Sequence, residues 1–367
     1  MRVPLVDLKP QYEECKPEID AALARLLDSQ YWIMGPTVSA FEEDLAQYAG
    51  VKHAIGCASG TDALQLALMA LEIQPGDEVI TTPFTFAATA ETIALLSAKP
   101  VYADIEADTY NLDINQVESL ITSRTKAIIP VHLYGQSADM DELNALAQQQ
   151  GIPVIEDAAQ ALGAEYKGRE VCSLGTMACT SFFPAKNLGA FGDAGAVFTN
   201  DDDLADRINA LRLHGSKQRY LHEILGVNSR IDALQAAVLH AKLPHLDNWN
   251  RLRGELAGYY NEKLADVPVT TPICKPDRTH IYQQYTIRSS QREELQAHLR
   301  EMEIPSAVHY PIPLFRQPAF LDAEAEARCP EAIRAAAEVM SLPMFPHLTV
   351  GQADQVIEAI LDFYKKG

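Results

Sequence analysis

The chain has 367 residues, 47% of them hydrophobic. Single cores stop growing at about 250–300 residues, so a large domain and a smaller one are expected. With 30 Lys and Arg against 50 Asp and Glu, the formal charge of −20 argues against a nucleic-acid or anionic-membrane partner, which would need a basic face. No run reaches the roughly eighteen apolar residues of a membrane span, and Met1-Arg2-Val3-Pro4 opens no apolar signal region. The six cysteines are scattered, with no C-x-x-C pair and no histidine at metal-site spacing. A cytoplasmic chain with reduced cysteines and no bound metal is the expectation.

From about residue 37 to 215, helical periodicity alternates with short β-branched runs. The pattern predicts helix 38–48, strand 53–58, helix 61–71, strand 78–82, helix 87–96, strand 100–104, helix 114–121, strand 127–131, helix 140–149, and strands 153–157, 178–182 and 194–199. Strands separated by helix-length crossovers imply an α/β fold, a mostly parallel, doubly wound sheet with helices on both faces. Helices 231–242 and 246–264 follow, then strand 281–288, helix 292–302 and a last helix 354–364. The expected division is a large domain, 1–245, and a smaller α+β C-terminal domain, 246–367. No low-complexity tract or internal repeat interrupts it.

Ligands of such sheets bind at the carboxyl ends of strands, and three motifs fall there. Val154-Ile155-Glu156-Asp157-Ala158-Ala159-Gln160 ends a strand on a carboxylate. Thr180-Ser181-Phe182-Phe183-Pro184-Ala185-Lys186-Asn187-Leu188-Gly189, followed by Phe191-Gly192-Asp193-Ala194-Gly195-Ala196, surrounds one lysine with aromatics, a proline and glycines. A pyridoxal phosphate enzyme needs a lysine to hold the aldehyde as a Schiff base and a carboxylate to keep the pyridine nitrogen protonated; Lys186 and Asp157 fit those roles. Asp157 follows an apolar strand, where an unpaired buried charge is costly and a pyridinium removes that cost. The third motif, Ser59-Gly60-Thr61, joins a strand to a helix whose first amides suit a phosphate; a plain N-cap is the competing reading. Ser181 would add another phosphate donor.

These motifs, with Gly35-Pro36, Phe41-Glu42, Pro75-Gly76-Asp77-Glu78-Val79-Ile80, Pro83-Phe84-Thr85-Phe86 and Asn228-Ser229-Arg230-Ile231-Asp232, span nearly the whole chain. In that order and spacing they resemble the DegT/StrS family of nucleotide-sugar aminotransferases, of the fold type I PLP-dependent transferases. The resemblance implies a homodimer with shared active sites, L-glutamate and a keto nucleotide sugar as substrates, and pyridoxal 5'-phosphate as cofactor. It places Phe86 over the cofactor ring, with a core phenylalanine as the alternative, and Gln160 near the 3-hydroxyl, with a surface glutamine as the alternative. Asn228 would reach the phosphate held by the neighbouring subunit. Arg230 is either a fold residue or the fork for a carboxylate of the amino donor or of a uronate. His309 and Tyr310 resemble nucleotide-sugar contacts made across the dimer, or else form a rigid X-Pro loop.

An acidic chain that binds an acidic nucleotide sugar must gather its cations locally, and Arg212, His214, Lys217, Arg219, Arg230 and His309 are the pool. The sequence His309-Tyr310-Pro311-Ile312-Pro313 with Gln317-Pro318 looks most like enzymes aminating C3 of 3-oxo sugars, of the UDP-2-acetamido-3-oxo-glucuronate type. The rivals are a dTDP-3-oxo-6-deoxyhexose aminotransferase, a C4 aminotransferase of 4-keto-6-deoxy sugars and a non-enzymatic regulator on the same fold. A related 3-dehydratase carries histidine where this chain has Lys186.

Overall fold

The computed structural model describes residues 3–218 and 220–366. Its centre is a sheet built from β1 (His53–Cys57), β2 (Glu78–Thr81), β3 (Lys99–Tyr102), β4 (Thr125–Ile129) and β5 (Ile155–Asp157), with β8 (Met177–Ser181) and β9 (Gly195–Thr199). Two short strands between β5 and β8, β6 (Glu165–Tyr166) and β7 (Arg169–Glu170), form a separate hairpin. Ile80 of β2 lies opposite Val101 of β3 and Ile128 of β4, both in parallel. Parallel bridges Ile128–Val154 and Val131–Asp157 carry the sheet on to β5. β5 pairs in parallel with β8, and β9 runs antiparallel between β8 and β1. The order is therefore β3-β2-β4-β5-β8-β9-β1, with β9 the one reversed strand.

Val79, Ile80, Ala127, Ile128, Ile129, Ala196, Val197 and Phe198 are all buried, because helices cover both faces and leave these strands no solvent side. The helices α2 (Pro36–Ala49), α3 (Gly60–Ala70), α4 (Ala88–Leu95), α5 (Ile114–Leu120) and α6 (Met140–Gln150) lie within two residues of their expected bounds. Among the elements not anticipated from the sequence were α1 (Lys9–Ser29) and α7 (Asp202–Leu211). Pro17 lies inside α1, and the helix departs from helical geometry at Cys15 (φ −106°, ψ 15°); a proline there removes one backbone hydrogen bond and mimics a terminus in the sequence. The hairpin β10 (Ser216–Gln218) and β11 (Leu221–His222) follows α7, and then α8 (Ala233–Lys242) packs against α1 and α2.

The long helix α9 (Leu246–Lys263) places Leu246 in the core beneath the sheet and Ala257 and Tyr260 in a second, C-terminal core. That core covers β12 (Tyr285–Arg288) paired antiparallel with β13 (Val339–Leu342), with α10 (Arg292–Glu301) and α13 (Val350–Lys366) packed on them. The short helices α11 (Ala323–Arg328) and α12 (Pro330–Glu338) lie before β13. The strand expected from 281 begins only at Tyr285. The Ile281 and Gln283 amides instead donate to the Gly135 and Tyr134 carbonyls at 2.9 Å each, so the backbone of 281–284 is committed to the sheet side. No described helix is long and apolar enough to cross a membrane.

Arg212 at the end of α7 is buried. It pairs with Glu42 of α2 and donates to the Gly56 carbonyl of β1 and to Asn209, while the Gly56 amide donates to Glu42 at 2.8 Å. Removing one partner leaves the other charge buried and unpaired, at a cost of about 3–5 kcal/mol. Arg212→Met should therefore lower the urea midpoint strongly, and adding Glu42→Gln should recover part of the loss. Additive losses in the double variant would show that the two charges do not depend on each other.

Candidate active site

Because β9 returns antiparallel beside β8, with Ser181 opposite Gly195, residues 182–194 leave and re-enter at the carboxyl end of β8. The loop is closed by Lys186 N–H to Phe183 C=O and Ala190 N–H to Phe182 C=O, both 2.8 Å. A side chain at Gly189 would collide with the Pro184 carbonyl, so the turn admits only glycine. Side chains from elsewhere hold it. Gln283 donates to Ala185 C=O at 3.0 Å, Asn187 donates to Asn250 Oδ1 at 2.6 Å and to Ile281 C=O at 3.2 Å, and Lys242 donates to Gly189 C=O. Lys186 itself is half-buried. Burial brings its amine down to about 8, opposed by the nearby charge of Asp157.

Asp157 ends β5 and is buried. Its Oδ2 accepts from Thr89 Oγ1 at 2.7 Å and its Oδ1 from the Ala159 amide at 3.2 Å. Burial raises its pKa; Thr89, the Ala159 amide, Lys186 and His132 act the other way. The neighbouring Glu156 points into a different environment. It accepts from the Cys172, Leu174 and Gly175 amides and meets His132 Nε2 at 2.9 Å. His132 Nδ1 accepts from the Ala138 amide at 3.1 Å, which assigns the ring proton to Nε2 and makes it the donor to Glu156. Glu156 is thus a satisfied scaffold carboxylate, and Asp157 is the one directed at the lysine.

Gln160 is buried, not on the surface. Its Oε1 accepts from the Tyr134 amide at 2.8 Å and its Nε2 donates to the Tyr310 hydroxyl at 3.1 Å. Burial raises the Tyr310 pKa. Of the two nearby phenylalanines, Phe84 is fully buried in the core and Phe86 is 60% exposed, its ring 6.4 Å from that of Tyr310. His309 Nδ1 lies 2.9 Å from Ser341 Oγ, and its carbonyl accepts from the Tyr134 hydroxyl. Burial and the charge of Lys186 both lower the His309 pKa. Lys186, Asp157, Gln160, Phe86, His309 and Tyr310 therefore form one site within a single protomer, so His309 and Tyr310 line their own chain's site and not, as the resemblance had implied, the neighbouring subunit's. Beside it lies a cavity of about 430 Å³ lined by Phe86, Tyr310, Pro311, Ile312, Gln317 and Pro318 among others.

The N-terminus of α3 adjoins the base of the lysine loop. The Ser59 hydroxyl is spent on capping, accepting from the Asp62 amide at 3.0 Å. A Cβ on Gly60 would lie 2.6 Å from Ser181 Cβ, so Gly60, Thr61 and Ser181 converge. Asn228 is exposed, and Arg230 is half-buried with no ion pair or side-chain hydrogen bond among the described residues. Neither is bonded to the Lys186 site within one protomer. The cation pool does not gather. Arg212 is committed to Glu42, Lys217 lies 3.7 Å from Asp206, His214 is exposed, and Arg219 lies outside the described residues.

Sequence motifs did not single out Thr89, Tyr134, Asn187, Lys242, Gln283 or Ser341 as site-supporting residues. Each acts through a partner remote in the chain, and no local spacing marks such a contact.

A family model for DegT/DnrJ/EryC1/StrS aminotransferases matches residues 13–361. The chain is 51% identical to a UDP-2-acetamido-2-deoxy-3-oxo-D-glucuronate aminotransferase of Pseudomonas aeruginosa, over 98% of this chain and 99% of the relative. It is also 51% identical to a pleiotropic regulatory protein of Geobacillus stearothermophilus, over 100% and 99%. The structure of S. venezuelae DesV in complex with a ketimine intermediate superposes with a TM-score of 0.96 at 46% identity, covering 99% of this chain and 98% of that one. With the lysine loop, the buried carboxylate and the family match in agreement, the chain belongs to the DegT/DnrJ/EryC1/StrS aminotransferase family.

Proposed function

We propose that this chain is a pyridoxal-phosphate-dependent aminotransferase moving an amino group from L-glutamate to C3 of a UDP-linked 2-acetamido-3-oxo sugar, with a uronate preferred. The observation that carries the aminotransferase reading is the pairing of a lysine amine lowered to about 8 with a buried, raised carboxylate in one site. The residues present fit the cofactor. Asp157 is a buried carboxylate without a full counter-charge, Phe86 offers an exposed flat face, and the first turn of α3 meets Ser181 where a phosphate would find amides and hydroxyls.

When bound, pyridoxal phosphate supplies an electron sink for the carbon that loses its proton. The chain's own groups do the rest. Lys186 Nζ, with part of its population neutral near pH 8, serves as the attachment point and then as the base and acid that moves a proton. Asp157 would hold the ring nitrogen's positive charge, Thr89 orients that carboxylate, and Gln160 presents a polar face fixed by Tyr134 and Tyr310.

The sugar assignment is supported by the likeness to the P. aeruginosa enzyme and by the cavity formed by Tyr310–Pro318 against Phe86. The exposed Asn228 is the group to be supplied to a neighbouring subunit, giving a homodimer with shared sites, and Arg230, without an ion pair among the described residues, is the fork for a carboxylate. The free cysteines accord with a cytoplasmic location. Against a purely regulatory role stands the intact set of Lys186, Asp157 and Phe86.

Outcomes at the lysine, at the subunit boundary and at the sugar test this reading. Attachment of pyridoxal phosphate to the apoprotein should accelerate as pH rises through about 8, because the neutral amine is the attacking form. Asp157→Asn, by removing the carboxylate that raises the amine's pKa, should move that midpoint downward; a midpoint near the ordinary lysine value would remove Lys186 as the attachment point. Mixing inactive Lys186→Ala and Asn228→Ala subunits should restore activity in heterodimers, since one of the two sites then has both residues; no recovery after verified exchange would overturn the shared site. Arg230→Ala should raise KM about ten- to a hundredfold for the 3-oxo uronate and much less for a 6-deoxy analogue. Amination of a 4-keto-6-deoxy sugar with no turnover of any 3-oxo sugar would overturn the substrate assignment.

A further inference from the structure

Lys242, the last residue of α8, is only 6% exposed. No carboxylate pairs with it among the described residues. Its Nζ donates to the Gly189 carbonyl and sits 5.8 Å from the centre of the Phe191 ring and 5.7 Å from that of Trp249. An ammonium buried without a counter-ion is costly, and a methionine or leucine would fill the same volume of α8 at no such cost. Two aromatic faces and one carbonyl are what offset it here.

The carbonyl it holds belongs to the lysine loop, three residues past Lys186. The turn bond from Ala190 to Phe182 closes the loop beside Gly189, and the Gly189 carbonyl finds its donor in α8. On the other side of Lys186, Gln283 holds Ala185. The loop is therefore restrained from both flanks, by α8 and by the segment before β12, and Phe191, part of the same motif, forms one wall of the cage around the ammonium. We propose that Lys242 is a positioning residue for the transamination step: by pinning Gly189 between α8 and the Phe191–Trp249 cage, it fixes where the loop presents the Lys186 amine relative to Asp157. The inference rests on the reading of Lys186 as the cofactor-bearing lysine.

The test compares cofactor-loaded wild type with Lys242→Met, which fills the space without a donor, and Lys242→Arg, which keeps a cationic donor. Lys242→Met should speed hydrogen–deuterium exchange of the amides in 183–191 and lower kcat about ten- to a hundredfold, with KM for donor and sugar near the wild-type value. Lys242→Arg should recover most of both. A merely structural loss would lower the yield of folded enzyme and leave the kcat of the folded fraction intact. Turnover of folded Lys242→Met within about twofold of wild type, or unchanged exchange in 183–191, overturns the proposal.

Should Lys242→Met fail to fold, Lys242→Gln, whose donor falls one bond short, is read by the same two criteria. Borohydride reduction and peptide mapping of the loaded wild type separate the two possible failures. Label on another lysine overturns the Lys186 reading, and with it the proposed role of Lys242; label on Lys186 with unchanged turnover in the variant overturns the role of Lys242 alone.

Discussion

Asp157 sits where β5 ends and water is excluded, and a carboxylate in that position must be compensated by whatever the fold brings to it. The compensation is partial. One hydroxyl, from Thr89, and one amide, from Ala159, reach its oxygens, and the lysine across the site adds charge without a direct bond. A fully paired carboxylate here would have nothing left for a cationic ring. A carboxylate with no support would take up a proton. The intermediate state, buried and incompletely satisfied, leaves Asp157 able to take a cationic partner, the role proposed for it toward a pyridinium.

The same exclusion of water acts with opposite sign on Lys186. Burial disfavours the charged form of both groups, raising the acid and lowering the amine. Their mutual attraction limits each shift. A lysine in solvent would be almost wholly protonated at neutral pH, and the loop that half-buries Lys186 brings its amine down to about 8. That loop owes its place to the reversal of β9, which makes residues 182–194 a return at the carboxyl end of the sheet. With β9 parallel, the chain would have left over a crossover helix and the lysine would not be held beside its own strand.

Glu156 and Asp157 show how one strand end serves two purposes. Successive residues of a strand face opposite ways. Glu156 turns into the protein, where three amides and His132 satisfy it, and ties the 172–175 segment to the sheet. Asp157 turns to the side that carries Lys186. The C-terminal part then closes over that side through Tyr310 on Gln160 and His309 on Tyr134, so the walls of the site come from stretches separated by about half the chain.

Local residue patterns were enough to determine the alternating helices and strands between residues 37 and 199, the position of Asp157 at a strand end and the glycine-bounded lysine loop, because periodicity and turn chemistry are properties of neighbours in the chain. They were not enough for α1, whose Pro17 imitates a helix end, or for segment 281–284, whose amides are claimed by Tyr134 and Gly135 and not by a strand. Nor could they decide which of Phe84 and Phe86 is core, since two aromatics two residues apart differ only in what packs on them. What satisfies Glu156 beside Asp157, that Arg212 is withdrawn into an ion pair with Glu42, and that Lys242 lies under the loop were decided by tertiary structure alone. Burial and hydrogen bonding between remote segments set those outcomes, and neither quantity exists until the chain has folded.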